Sequence, residues 1–209
     1  MVFDSKTVQL QETPPLHAKI AATLIFDTDP HLFTYMFGSD HETALKFFEL
    51  EWKQERSLFS YSHCTVAVND DMPMGIEIGY NLKTKTELDP DTGHTGAQAL
   101  NPEDLPILIE AVSYLPYLMP PIQGDAYYIA HLAVIQNMRG QGIGERLLMN
   151  AFERAEKQDY RLCELDVASN NRAVHLYLRM GMEIVSESRV VELESNGIPS
   201  HYRMAKRFR

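Results

Sequence analysis

Over the first sixty positions, apolar residues recur three and four apart rather than two. Residues 17–26 (HAKIAATLIF) carry them along one side and stop before Asp27-Thr28-Asp29-Pro30, which predicts a short helix. A longer helix is expected over 42–59, with Ala44, Leu45, Phe48 and Trp52 on one face. Between them, 31–38 is aromatic and reads as a loop. The pattern then shifts to short apolar runs. Residues 64–68 and 74–80, separated by Asn69-Asp70-Asp71, predict a β-hairpin. Residues 82–99 are polar and rich in Thr, Asp and Gly, which predicts a loop or insertion. Helix resumes at Asn101-Pro102-Glu103-Asp104, a capping residue followed by a first-turn proline and early acids. Leu105, Leu108, Ile109, Val112 and Leu115 form its expected apolar face, and Pro116, Pro120 and Pro121 its expected end.

From 123 onward the order strand, helix, strand, helix, strand, strand is legible. Residues 126–134 form an apolar strand. Ile143, Leu147, Leu148, Ala151, Phe152 and Ala155 mark a clear helical period, and 162–167 is another strand. A short helix over 171–180 is capped by Ser169 or Asn170 and stopped by Gly181. Strands over 182–192 and 200–208 follow, joined by Glu194-Ser195-Asn196-Gly197. There is no internal repeat.

At 209 residues the chain fits one domain, with residues 1–15 expected to be loosely held. The formal net charge of -10 argues against nucleic acid or an anionic membrane as partner, and suits a cationic substrate such as an amine. No run approaches the roughly 20 apolar residues of a membrane helix, and residues 1–11 lack a signal-peptide pattern. With only Cys64 and Cys163, neither in a C-x-x-C motif, a reducing cytoplasm is expected and a metal site is not.

The chemistry gathers at Arg139-Gly140-Gln141-Gly142-Ile143-Gly144, between the 126–134 strand and the following helix. Glycines let backbone N–H groups approach an anion, and the helix N-terminus adds partial positive charge. Arg139 at the entrance adds a full one. A Walker P-loop is excluded, because Glu145-Arg146 stands where Lys and Ser or Thr are needed. A dinucleotide fingerprint has Gly140 and Gly142, and Asp166 at the distance of a ribose acid, but Glu145 replaces its third glycine. It remains a rival of lower rank.

The third pattern is R-x-x-G-x-G, met by Arg139, Gly142 and Gly144. With Leu132-Ala133-Val134 upstream, and Asn170, Ala173, Tyr177 and Gly181 downstream in the spacing N-x-x-A-x-x-x-Y-x-x-x-G, the chain resembles the GNAT superfamily of acyl-CoA-dependent N-acetyltransferases. The N-terminal half (24–30, then Met36-Phe37-Gly38) is similar to the start of a bacterial subgroup of that family with no fixed substrate. The resemblance implies a single α/β (α+β) domain with a mixed, mostly antiparallel sheet of about six or seven strands. Its parts would be a helical region over 1–60, a hairpin, insertion loop and helix over 61–125, an acyl-CoA core over 126–192 and a final strand over 193–209.

The resemblance also implies acetyl-CoA as cosubstrate and direct transfer to a small-molecule or peptide amine. Arg139, Gly140, Gln141, Gly142, Ile143 and Gly144 would cradle the pyrophosphate, and backbone N–H groups of Leu132, Ala133 and Val134 would meet pantetheine and the acyl oxygen. Asn170 would contact CoA, and Tyr177 would protonate the leaving thiolate. The base is open. His131 is one candidate, although its parity is opposite to that of Leu132 and Val134, and Tyr128, Asp166 and Glu164 are others. A CoA-binding module without turnover is the alternative from another class, and a homodimer is compatible with either.

Overall fold

The computed structural model describes residues 8–12, 17–38 and 40–208. Seven strands form one sheet: β1 (Gln9–Glu12), β2 (Cys64–Asn69), β3 (Met72–Tyr80), β4 (Ala126–Val134), β5 (Leu162–Ala168), β6 (Glu183–Ser188) and β7 (His201–Arg207). Their spatial order is β1-β2-β3-β4-β5-β7-β6. Every neighbouring pair is antiparallel except β4 and β5. The expected mostly antiparallel sheet is therefore present. Part of the stretch expected to be loosely held is ordered, as the buried Val8 and β1, and residues 1–7 and 13–15 lie outside the described residues. The β2–β3 hairpin turns at Asp70 and Asp71, with φ of 48° and 61°, the left-handed pair that suits a two-residue turn to the twist of its strands.

One face of the sheet is covered by α1 (Ala18–Phe26), α2 (Pro30–Met36) and α3 (His41–Lys53). Phe33, Phe48, Trp52, Ile76, Ile78 and Tyr128 belong to the core there. The other face is covered by α6 (Ile143–Lys157) and α7 (Ala173–Arg179), whose Leu148, Phe152 and Tyr177 pack with Ile129, Leu165 and Met204. All six residues of the expected α6 face are buried. Half-buried in this layer, Arg154 bonds the buried Glu77 and Tyr127, and bonds Thr65 Oγ1 at 2.8 Å.

Four expectations fail for local reasons. Residues 31–38 are not a loop: Pro30 opens α2 and the Asp29 carboxylate caps it, accepting from Leu32 N at 3.2 Å. The α3 helix ends at Lys53 rather than 59, because Ser57 and Ser60 redirect the chain by accepting from Phe59 N and Ser62 N. Residues 82–99 are helix α4 (Leu82–Ala99). Asn81 caps it through Thr84 N at 2.8 Å, Lys85 pairs with Asp89 one turn on at 2.6 Å, and Arg56 ties Asp91 to the body at 2.8 Å. The strand expected over 182–192 stops at Ser188, and the one-turn helix α8 (Val191–Glu194) follows, buried through Leu193.

The helix expected from 101 begins later, as α5 (Leu105–Leu118). Asp104 occupies its N-cap without a side-chain bond to the helix backbone, accepting instead from Asn101 Nδ2 at 3.3 Å, and Pro116 lies inside it rather than ending it. Its buried positions are Ala111 and Leu118, and Leu105 and Leu108 pack partly buried against the core of α1 to α3, whereas Ile109 is 67% exposed and Val112 44%.

Candidate active site at the opening of the sheet

β4 and β5 pair for only three residues, Ala126 to Tyr128 against Leu162 to Glu164. Beyond Tyr128 the edge of β4 that faces β5 has no ladder partner. On the other edge, one extra residue at Ala130 interrupts the register with β3, between the pairs Gly79↔Ile129 and Ile78↔His131. Ile135 N donates to Met74 O of the β3 side at 2.9 Å. Alternation along the strand then turns the N–H groups of Leu132 and Val134 toward the open edge.

A cavity of about 900 Å³ runs through this opening. It is lined by α6 and α7 on one side of the sheet, through Gly142, Gly144, Leu176 and Tyr177. On the other side it is lined by α2, α4 and α5, through Leu32, Phe33, Lys85 and Leu115.

At the first end, Gly140 and Gly142 have φ of 77° and 82°, and a Cβ on either would meet nothing within 4 Å. Space, rather than packing, surrounds this turn. Gly142 is the N-cap of α6 and offers no side-chain cap, so the first-turn N–H groups of the helix stay available. These residues fit an anion such as a pyrophosphate. Arg139 does not present a free charge: Nε donates to Val134 O at 2.9 Å and its guanidinium pairs with Asp27 at 3.0 Å. It anchors the turn to the end of β4. Gln141 lies outside the lining; its side chain reaches back to Asn137 O at 3.5 Å.

The predicted strand and helix residues meet here. Leu132, Ala133, Val134, Ile143 and Tyr177 all line the cavity. Tyr177 is 5% exposed, and burial holds its phenol above the usual tyrosine range, so the hydroxyl keeps its proton. Asn170 does not join them. It is exposed, while the adjacent Asn171 lines the cavity and, just ahead of α7, accepts from Ala173 N at 2.9 Å.

The candidate bases are already engaged. Thr28 Oγ1 donates to Ile25 O at 2.6 Å, so at 3.0 Å it accepts from His131 Nδ1 and leaves Nε2 as the acceptor of that ring. Burial, beside Phe33 and Phe59, lowers the His131 pKa to about 4. Tyr128 donates to Asp166 at 3.0 Å, and burial, then the Asp166 charge, holds it protonated. Asp166 is held by two nitrogens of Arg203, at 2.8 and 2.7 Å. Glu164 is fully buried; its Oε1 accepts from Gln123 N at 2.9 Å and meets Arg203 at 3.1 Å.

Two lining residues had no signal in the sequence: Asp29, and His201 at the start of β7, whose Nε2 lies 2.8 Å from Asp29 Oδ2. They are 172 positions apart, and only the fold joins them. Among the described residues, no three His, Cys, Asp or Glu side chains converge as a metal site, and no helix is long and apolar enough to cross a membrane.

Comparison with known proteins gives the same picture. Residues 45–182, more than half the chain, match the model of the acetyltransferase (GNAT) family. A curated relative, L-2,4-diaminobutyric acid acetyltransferase of Shouchella clausii, is 31% identical over 70 residues, 34% of this chain and 39% of that protein's length. An N-acetyltransferase structure from Staphylococcus aureus superposes with a TM-score of 0.71 at 18% identity, covering 95% of this chain and all (100%) of that one. An acetyltransferase of Bacillus subtilis in complex with CoA superposes with a TM-score of 0.54 at 16% identity, covering 97% of this chain and 98% of that one. With its sequence matched by the family model and its fold shared with those solved structures, the chain belongs to the GNAT family of acetyltransferases.

Proposed function

We propose that this protein transfers an acetyl group from acetyl-CoA to a primary amine by direct attack, both substrates being bound at once. The observation that carries this reading is the convergence, in one cavity, of an anion-accepting turn, an unpaired strand edge and a protonated tyrosine. The Gly140, Gly142 and Gly144 turn and the first turn of α6 would hold the CoA pyrophosphate. The N–H groups of Leu132 and Val134 would donate to the acetyl oxygen as negative charge develops on it; one such donor is worth on the order of 3 kcal/mol. The amine nitrogen bonds to the acetyl carbon, the carbon–sulfur bond breaks, Tyr177 gives its proton to the sulfur, and one of the protons shed by the nitrogen returns to Tyr177 through water.

The acceptor nitrogen sheds its protons to water in this scheme. His131 is too weak a base at neutral pH, and Tyr128, Asp166 and Glu164 are committed to the Arg203 network. The acceptor is an amine, as it is for the relative named for diaminobutyric acid. A cytoplasmic location, where acetyl-CoA is made and used, belongs to the same reading.

The test is release of CoA thiol from acetyl-CoA in the presence of a panel of amines. The wild type should release thiol, and Tyr177→Phe should lower kcat by roughly 100-fold, at the low end of what a positioned proton donor contributes, with an unchanged melting temperature. Acetyl-CoA binding without thiol release on any amine would replace this reading with that of a CoA-binding module.

A further inference from the structure

α1 ends at Phe26 and α2 starts at Pro30, and the three residues between them tie together strands that the opening separates. Asp27 pairs at 3.0 Å with Arg139, which itself holds Val134 O at the end of β4. Thr28 meets His131 of β4 at 3.0 Å. Asp29 Oδ2 lies 2.8 Å from His201 Nε2 on β7, one strand beyond β5. The turn therefore crosses the gap between β4 and β5, on the side of the sheet covered by α1, α2 and α3.

Strand register sets the height of this crossing. The paired stretch of β4 and β5 ends at Tyr128 and Glu164. Leu132 is four residues past that point on β4, and Ala168, the partner of His201, is four past it on β5. Asp29 thus stands over the opening at about the level of the Leu132 N–H, the donor assigned to the acetyl oxygen.

Charge at this place is unbalanced. His201 and Arg203, neighbours on one face of β7, are set against three carboxylates, Asp29, Asp166 and Glu164. Arg203 offsets one of them, and His201 a second only when protonated, so at least one negative charge is left over in either state. Glu164 Oε2, buried, has no hydrogen-bond partner among the described residues. Asp29 is the most open of the three, its side chain 14% exposed against 1% for Asp166 and 0% for Glu164, and it lines the cavity. Among the described residues, its Oδ1 accepts from Leu32 N at 3.2 Å and its Oδ2 has His201 as partner, so each oxygen keeps a lone pair.

We infer that Asp29 receives the acceptor's ammonium group and holds its nitrogen beside the acetyl carbon. This rests on the acetyltransferase reading and assigns its amine-binding residue. A bond from an ammonium N–H to a carboxylate is charge-assisted, and a site with surplus negative charge gains by taking it in. When the nitrogen sheds a proton to water, its remaining N–H groups stay on Asp29. The lone pair so released is repelled by the carboxylate and turns toward the open edge of β4.

The test uses Asp29→Asn, because Asn caps a helix as well as Asp does and can still bond His201. Hexylamine, 2-phenylethylamine and 1,4-diaminobutane are each compared with the matched alcohol, which has the same body and no charge. Calorimetric titration into the CoA-loaded protein gives the preference for amine over alcohol, and thiol release from acetyl-CoA gives kcat and KM. The wild type should bind at least one amine roughly tenfold or more tighter than its alcohol, and Asp29→Asn should bring the two within about threefold. The KM for that amine should rise roughly 10- to 100-fold, while the KM for acetyl-CoA stays within about twofold. Asp29→Glu, which keeps the charge, should retain part of the preference.

No preference for any amine in the wild type, an unchanged preference in Asp29→Asn, or an equal loss of amine and alcohol would overturn the inference while leaving acetyl transfer intact. Absence of thiol release with every amine, together with a preference that Asp29→Asn abolishes, would remove the catalytic reading and leave the ammonium contact standing.

Discussion

His131 shows how a side chain can be well placed and chemically quiet. Its ring lies at the cavity between Phe33 and Phe59, which lowers its pKa from 6.5 to about 4. The unfolded chain therefore takes up this proton first as the pH falls. Above 6.5 both states are neutral and the residue contributes nothing to pH dependence. Between 6.5 and about 4 the unfolded state binds more protons and stability declines, and below about 4 the loss is complete. Urea midpoints measured from pH 7.5 to 4.5 should fall less steeply in His131→Asn than in the wild type. The alternating parity of β4 made part of this legible, since it set His131 opposite Leu132 and Val134. What the sequence could not carry was the set of partners: Thr28 is 103 positions away and Arg203 is 37 from Asp166. The positions of Tyr177 and of the glycines at the cavity were readable because their motif spacings are local, within the run from β4 to α7.

Among the elements, the glycine turn and α4 make opposite demands on a methyl group. Gly142→Ala puts a side chain at φ of 82°, with strain of roughly 1–2 kcal/mol, and places its Cβ in the open space where a phosphate would lie. Its KM for acetyl-CoA should rise about tenfold or more, with the KM for the amine little changed. At Gly144 the backbone is helical and a Cβ would meet Leu176 at an ordinary 3.4 Å, so Gly144→Ala should melt within a few degrees of the wild type. In α4, Pro90 removes the bond its N–H would have given to Thr86 O. Pro90→Ala should therefore stabilise the protein by roughly 1–3 kcal/mol, raising the melting temperature by several degrees. The same proline, with Gly93, made 82–99 read as loop. The helix persists through its Asn81 cap and its Lys85–Asp89 and Arg56–Asp91 pairs, two of which depend on the sequence neighbourhood and one on the fold. α2 was obscured differently, because only Thr28 separates the Asp27 C-cap of α1 from the Asp29 N-cap of α2.

Taken as a whole, the molecule is one sheet with a helical layer on each face, and its C-terminal half was the part with clean periodicity. β1 was hidden because its four residues form a strand only by pairing with β2. A ligand that binds only the folded state at a hundred times its Kd adds about 2.7 kcal/mol. For a chain of this size that amounts to a rise of roughly 5–11 °C in melting temperature. Acetyl-CoA should produce such a shift, and NAD should not; the reverse result would restore the dinucleotide alternative.

The three-residue contact between β4 and β5 has a kinetic consequence. The slot beside it lets the cavity take its lining from both helical layers. In the proposed reaction the two substrates would occupy opposite layers, and the acetylated amine and the spent carrier would depart in either sequence. Product-inhibition patterns should accordingly report relative affinities and not an imposed queue.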